Sequence, residues 1–141
     1  QYSNVLHCSS RQTVQFVQWI MEQPWYENTT VVISGDHATM VSGYAPDDDS
    51  YDRGVYYCFI NPAAVPADRT HTACTMDLFP TTLAAMGVEI EGDRLGLGTN
   101  LFSERGTIVD ELGQKEVISQ LNMKSEFYDS VLLYGEEAEE K

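Results

Sequence analysis

Two adjacent residues have the side chains to hold a metal ion. Asp36 and His37 directly follow Ser34-Gly35, at the end of the run Thr30-Val31-Val32-Ile33. A hard carboxylate oxygen beside an imidazole nitrogen suits a divalent cation such as Zn²⁺ or Mn²⁺. The imidazole ligates in its neutral form, so affinity falls as the ring protonates. Two protein ligands alone are too few for a tight site. In isolation the pair has a plainer reading, with Asp36 capping a turn and His37 a surface loop residue. Arg69 and His71 are the other side chains that could face the same pocket. A guanidinium matches a phosphate bidentately, although a surface salt bridge would occupy Arg69 equally well.

The elements around these residues predict an α/β chain. Four apolar or β-branched residues without a polar break suit a strand buried on both faces, as in a parallel sheet covered by helices. Ligands in open α/β sheets collect at the carboxyl ends of strands, where Asp36 and His37 would lie. Before that strand, Val14, Phe16, Val17, Ile20 and Met21 share one side of a helix over 11–23. This helix ends before Pro24, because a residue preceding proline avoids the α region. Trp19 sits at the edge of the apolar arc as a packing residue. Residues 1–10 show no clear period.

A loop follows over 38–52, with Gly43, Pro46 and Asp47-Asp48-Asp49. These aspartates lack the Gly and Glu positions of a calcium loop and are expected to form a solvated tip. Val55–Ile60 is the second strand, and 69–74 is an extended approach to the site. A helix spans 76–86, with Thr75 as N-cap, Pro80 in the first turn and Gly87 just past the end. The stretch 88–100 carries Gly92, Gly96 and Gly98 but lacks the Lys-Ser/Thr of a phosphate loop, so it reads as structural. Thr107–Val109 is expected to be a short edge strand. Helices follow over 115–123 and 125–133, with Ser125 as N-cap.

In this order, several segments carry a resemblance. They are Phe16-Val17-Gln18-Trp19-Ile20, the strand ending Ser34-Gly35-Asp36-His37, Asp77-Leu78-Phe79-Pro80-Thr81-Thr82-Leu83, and Arg94-Leu95-Gly96-Leu97-Gly98-Thr99-Asn100-Leu101. Together the chain resembles the C-terminal part of a sulfatase-like domain of the alkaline phosphatase superfamily. The likeness is nearest the lipoteichoic acid synthases and membrane phosphoglycerol transferases, and it runs from about Phe16 to Tyr134.

The resemblance implies a fragment of an alkaline-phosphatase-like sandwich, with a mostly parallel sheet flanked by helices. Residues 1–141 would be the C-terminal portion of the catalytic domain, and 135–141 an acidic, disordered tail. The implied activity is metal-dependent transfer of phosphoglycerol, or a related phospho-alcohol, from a lipid-linked donor to a cell-envelope glycan or polymer. Asp36 and His37 match the family's Asp-His metal pair. The cation implied is Mn²⁺, with Zn²⁺ or Mg²⁺ as alternatives.

The family's Thr or Ser nucleophile and further ligands lie upstream, and nothing here matches them. The piece is therefore expected to be inactive alone and to need the remainder of its own catalytic domain. The parent would sit on the extracytoplasmic face of a bacterial membrane, anchored by upstream helices, with this piece itself soluble. A sulfatase or phosphodiester hydrolase of the same superfamily, and a non-catalytic module keeping the fold, are the alternatives.

The composition narrows the partners. The chain is 43% hydrophobic and 21% charged, ordinary for a globular protein. Its formal net charge of −14 argues against nucleic acid bound through a basic patch. It also opposes anionic lipid unless a metal or local Arg screens the surface. Cys8, Cys58 and Cys74 fit no zinc spacing. Cys58 is expected to be a buried free thiol, with a Cys58–Cys74 disulfide left open.

Overall fold

The computed structural model describes residues 2–40, 54–67 and 70–135. Arg69, the Asp47-Asp48-Asp49 run and the tail from 136 onward lie outside the described residues. The chain is of the mixed α/β class.

Helix α1 spans Tyr2–Met21, nine residues longer at its start than the amphipathic pattern marks. Residues 2–10 contain neither Gly nor Pro, so nothing in them stops the helix from extending toward the N-terminus. Its C-terminal end is closed by the Gln23 side-chain amide, which donates to the Trp19 carbonyl at 2.8 Å. After a 3-10 turn at Tyr26–Asn28, strand β1 runs Val31–Ser34 and strand β2 runs Tyr57–Ile60.

The two strands pair antiparallel, with Val31 opposite Ile60 and Ser34 opposite Tyr57. The expected mostly parallel sheet is therefore not what the described residues form. Parallel neighbours need a crossover that carries the chain back to the same end of the sheet. Here β2 starts where β1 stops, with the Gly35 N–H donating to the Tyr56 carbonyl at 3.0 Å. Val31, Val32 and Ile33 are only half-buried, so their apolar run is not covered on both faces.

Asn61 ends β2 with φ +56°, a conformation that asparagine tolerates better than most residues. Its side-chain amide donates to the Tyr26 and Thr29 carbonyls, both at 3.0 Å, and locks the entry to β1 against the exit of β2.

Helix α2 spans Leu78–Ala85 and follows a 3-10 turn at Thr75–Asp77. Thr75 is not the cap. Cys74 holds that place, because its thiol accepts from the Asp77 N–H while its own N–H donates to Asp77 Oδ2. The helix closes as expected at Gly87, with φ +86°. Gly87 N–H reaches the Ala84 carbonyl and Val88 N–H the Leu83 carbonyl, a Schellman closure.

The glycine-rich stretch folds into a small hairpin, β3 (Arg94–Leu95) paired with β4 (Gly98–Thr99) through a turn at Gly96-Leu97. The expected edge strand at Thr107–Val109 is instead the start of helix α3, Ile108–Leu112. Thr107 Oγ1 accepts from the Asp110 N–H, and the Asp110 carboxylate accepts from the Thr107 N–H. This capping box holds both orphan donors, and that outweighs the β preference of Thr-Ile-Val. Helix α4 follows at Gln114–Leu121. Ser125 then caps a last segment, which is π-helical over Tyr128–Leu133.

Helix α2 packs on the hairpin, where Asp77, Thr81 and Thr99 are buried, and the buried apolar side chains among the described residues are Ile20 of α1, Ala84 and Ala85 of α2 and Val117 of α4.

Candidate functional site

At the end of β1, Gly35 holds the chain close to β2, and Asp36 and His37 turn outward. A Cβ at Gly35 would crowd Val55 Cγ1 at 2.7 Å, so glycine suits the approach. Asp36 Oδ1 accepts from the His37 backbone N–H at 2.9 Å, the turn-capping role expected of a loop-start aspartate. Its second oxygen is left over and lies 3.4 Å from His37 Nε2. His37 Nδ1 lies 2.8 Å from the Ala38 carbonyl. A carbonyl only accepts, so Nδ1 carries a proton toward it, which leaves Nε2 as the nitrogen available to ligate. A backbone carbonyl holding one ring nitrogen so that the other can ligate is the usual support for a metal-bound histidine.

Donors 3.4 Å apart can share one ion at bond lengths of about 2.0–2.2 Å, since the separation is less than twice that length. The pair therefore fits a divalent cation as two of its ligands. Both side chains are open to solvent, 88% exposed for Asp36 and 55% for His37. Among the described residues no group of three or more His, Cys, Asp or Glu side chains could hold a metal ion. The pair is half a site at most.

His71 does not join it. Its side chain is 5% exposed, and both ring nitrogens are engaged elsewhere. Nε2 lies 2.9 Å from the Ser103 carbonyl, and Nδ1 lies 3.2 Å from Asp110 Oδ2. The same carboxylate takes the Thr72 N–H on Oδ1 at 2.9 Å. Thr107 Oγ1 donates to the Thr72 carbonyl at 2.7 Å. His71 thus pins the extended segment before α2 onto the start of α3, and a substrate contact would have to break one of these bonds. Burial raises the Asp110 pKa, but the N–H groups of Thr72 and Thr107 and the His71 ring more than offset it. The carboxyl is held well below its usual range. Arg69, the other expected phosphate contact, is outside the described residues.

The residues that the sequence reading did not single out form a buried network joining the Asp-Leu-Phe-Pro-Thr segment to the glycine-rich hairpin. Asp77 is 0% exposed. Its Oδ1 accepts from the Thr99 N–H and its Oδ2 from the Cys74 N–H, both at 2.8 Å. Thr81 Oγ1 donates to the Asp77 carbonyl at 2.6 Å and accepts from the Leu101 N–H at 3.0 Å. Arg94 reaches Thr99 Oγ1, the Gly106 carbonyl and both oxygens of Glu111. The hairpin is thus a structural loop, as expected. Gly98 is required in it, because a Cβ there would collide with the Met76 carbonyl.

All three cysteines are free thiols. Burial pushes the Cys74 thiol up, which makes it a poor nucleophile. The Tyr57 hydroxyl is buried without a hydrogen-bond partner among the described residues, and burial raises its pKa. Among the described residues no helix is long and apolar enough to cross a membrane. No family model, no curated protein and no solved structure matches the chain.

Proposed function

We propose that this chain is the C-terminal part of a metal-dependent phosphoglycerol transferase of the sulfatase-like superfamily. One observation carries the reading: His37 Nε2 and Asp36 Oδ2 lie 3.4 Å apart at the end of β1, with His37 Nδ1 engaged by the Ala38 carbonyl. Asp36 and His37 would hold Mn²⁺, or Zn²⁺ or Mg²⁺, together with ligands from the rest of the domain. When bound, such an ion lowers the pKa of an attacking hydroxyl and screens phosphoryl charge. The chain's own contribution is to present the two donors on a short, glycine-hinged strand end and to engage Nδ1 with the Ala38 carbonyl, so that Nε2 is the nitrogen left to ligate. A surplus of 14 negative charges repels an anionic donor, so the ion and any local Arg would also serve to admit it.

On this reading β1 belongs to a larger, mostly parallel alkaline-phosphatase-like sheet, with β2 as an antiparallel edge strand, an arrangement common in such sheets. The nucleophile, the lipid-linked donor, the glycan acceptor and the extracytoplasmic, membrane-anchored setting all belong to the parent protein.

The test compares residues 1–141 with the same chain preceded by its native upstream segment. The 141 residues alone are expected to show no Mn²⁺-dependent cleavage of phosphodiester or sulfate ester. The longer chain is expected to cleave a glycerophospho-ester, and His37→Ala or Asp36→Ala is expected to abolish that cleavage. Preference for a sulfate ester would replace the transferase reading with the sulfatase one. A longer chain that cleaves neither ester would leave a non-catalytic module, and cleavage that survives both substitutions would take Asp36 and His37 out of the site.

A further inference from the structure

Helix α1 is covered only near its two ends. Every residue from 3 to 16 is exposed, while Tyr2 is half-buried and Ile20 is the one buried side chain. A helix of 20 residues is about 30 Å long, so Tyr2 lies far from the Ile20 end. The Tyr2 hydroxyl lies 2.8 Å from Thr39 Oγ1, a residue 37 positions on in sequence. Either hydroxyl can donate to the other, so the bond forms in both senses.

Thr39 stands two residues past His37. The residue between them supplies the carbonyl that engages His37 Nδ1 at 2.8 Å. Three consecutive residues thus carry the ligating ring, the carbonyl that orients it and the hydroxyl that ties the segment to α1. Strand β1 has already ended at Ser34, and 38–40 lie in neither helix nor strand, so no ladder stiffens them. The tether can do so. The Ala38–Thr39 peptide is planar, which leaves Thr39 φ and χ1 between the Ala38 carbonyl and the tethered Oγ1. Threonine is β-branched and stiff at χ1, so φ is the one soft torsion that remains.

We propose that Tyr2 and Thr39 are positioning residues, a latch that keeps the Ala38 carbonyl on His37 Nδ1 and so leaves Nε2 as the nitrogen that ligates. This rests on the proposed function, which makes Asp36 and His37 metal ligands. Neither Tyr2 nor Thr39 touches the ion, and both act through Ala38. The latch also gives the exposed part of α1 a use, because residues 3–16 carry the Tyr2 hydroxyl out to the strand end. One net hydrogen bond sets the size of the effect, about 2–10-fold in the population of the ligating arrangement.

Nitrogen-15 NMR of the histidine rings in metal-free residues 1–141 tests this at about pH 8, above the ordinary histidine range. The His37 signals are assigned by their loss in His37→Ala. The native ring should be mainly the Nδ1–H tautomer. Tyr2→Phe, which keeps the ring and removes the hydroxyl, should shift the tautomer ratio by about 2–10-fold toward Nε2–H. Thr39→Val should do the same without altering α1, and Thr39→Ser, which restores a hydroxyl, should recover most of the native ratio. The double variant should be no worse than either single one, since both remove one bond. Mn²⁺ titration gives the second readout: paramagnetic broadening of the His37 ring protons should need about 2–10-fold more Mn²⁺ in Tyr2→Phe. Three results overturn the proposal. They are a native His37 that is mainly Nε2–H, a tautomer ratio unmoved by Tyr2→Phe and Thr39→Val, and effects of the two substitutions that add in full. The two readings separate. A tautomer that follows the latch in a chain whose His37 Mn²⁺ never broadens, with the upstream segment attached, keeps the latch and removes the metal site. Broadening at His37 that is identical in Tyr2→Phe keeps the metal site and removes the latch.

Discussion

Replacing Asp77 with asparagine keeps the shape of the side chain and removes one acceptor. The carboxylate takes one backbone N–H on each oxygen, from Thr99 and from Cys74, each at 2.8 Å and out of water. An amide can accept only one of them and must turn its NH₂ toward the other, donor against donor. Hydrogen bonds to a charged group are worth about 1.5–3 kcal/mol, and a buried N–H left unmade costs about 1–3 kcal/mol. Asp77→Asn is therefore expected to cost about 3 kcal/mol, and Asp77→Ala, which strands both donors, about 4 kcal/mol.

For a chain of this length about 3 kcal/mol lowers Tm by roughly 10 °C. Urea titration followed by circular dichroism reads the loss as a lower midpoint at unchanged slope. Amide exchange supplies the local signature. In the Asn variant either the Thr99 or the Cys74 amide should lose its protection, while the α3 and α4 amides fall only by the global amount. An Asn variant within about 0.5 kcal/mol of the native chain, with both amides still protected, would refute the idea that this carboxylate ties α2 to the hairpin.

Two further outcomes follow from the same region. Gly98→Ala should destabilise by several kcal/mol or prevent folding, because the added methyl meets the Met76 carbonyl, which is backbone and cannot swing away; circular dichroism and expression in soluble form read it. Asp110 has a folded-state pKa depressed below its unfolded value, so its contribution is fully present above the ordinary carboxylate range of about 4 and is lost as pH falls below it. Asp110→Asn should therefore lower stability at neutral pH and flatten the acid limb of a stability–pH curve, and an unchanged acid limb would show that the His71–Asp110 pin carries no linkage.

Local pattern announced some elements and hid others for physical reasons. The strand at Val31–Ser34 and the helix closing at Gly87 each depend on a few neighbouring residues, an apolar run in one case and a left-handed glycine in the other. Thr107 was legible in principle, because Thr-x-x-Asp is a capping box, yet the β-branched Thr-Ile-Val outweighed it when propensity alone was read. Asp77 was not legible as a structural node. Its partner Thr99 lies 22 residues away, and no period connects them. The sheet direction was hidden too, because an apolar run reports burial and not which way its neighbour travels.

The candidate site divides along the same line. Asp36 and His37 are adjacent in sequence, and their pairing needs only a turn, so adjacency alone brought them together. His71 needed long-range information. It stands six residues before Asp77 and looks like a side chain on its way to a pocket, but Ser103 and Asp110, 32 and 39 residues on, claim both nitrogens. The difference bears on how the site would work. Asp77 and Thr81 are buried, and they, Arg94 and Asp110 are held by several hydrogen bonds each, which suits a scaffold. The Asp36-His37 pair is exposed and leaves Asp36 Oδ2 and His37 Nε2 without a backbone partner, which suits a ligand set completed from elsewhere. A hydrogen-bonded half that holds no reacting group beside an open half that holds two donors is the division expected if the remaining ligands come from elsewhere, as the proposed function requires.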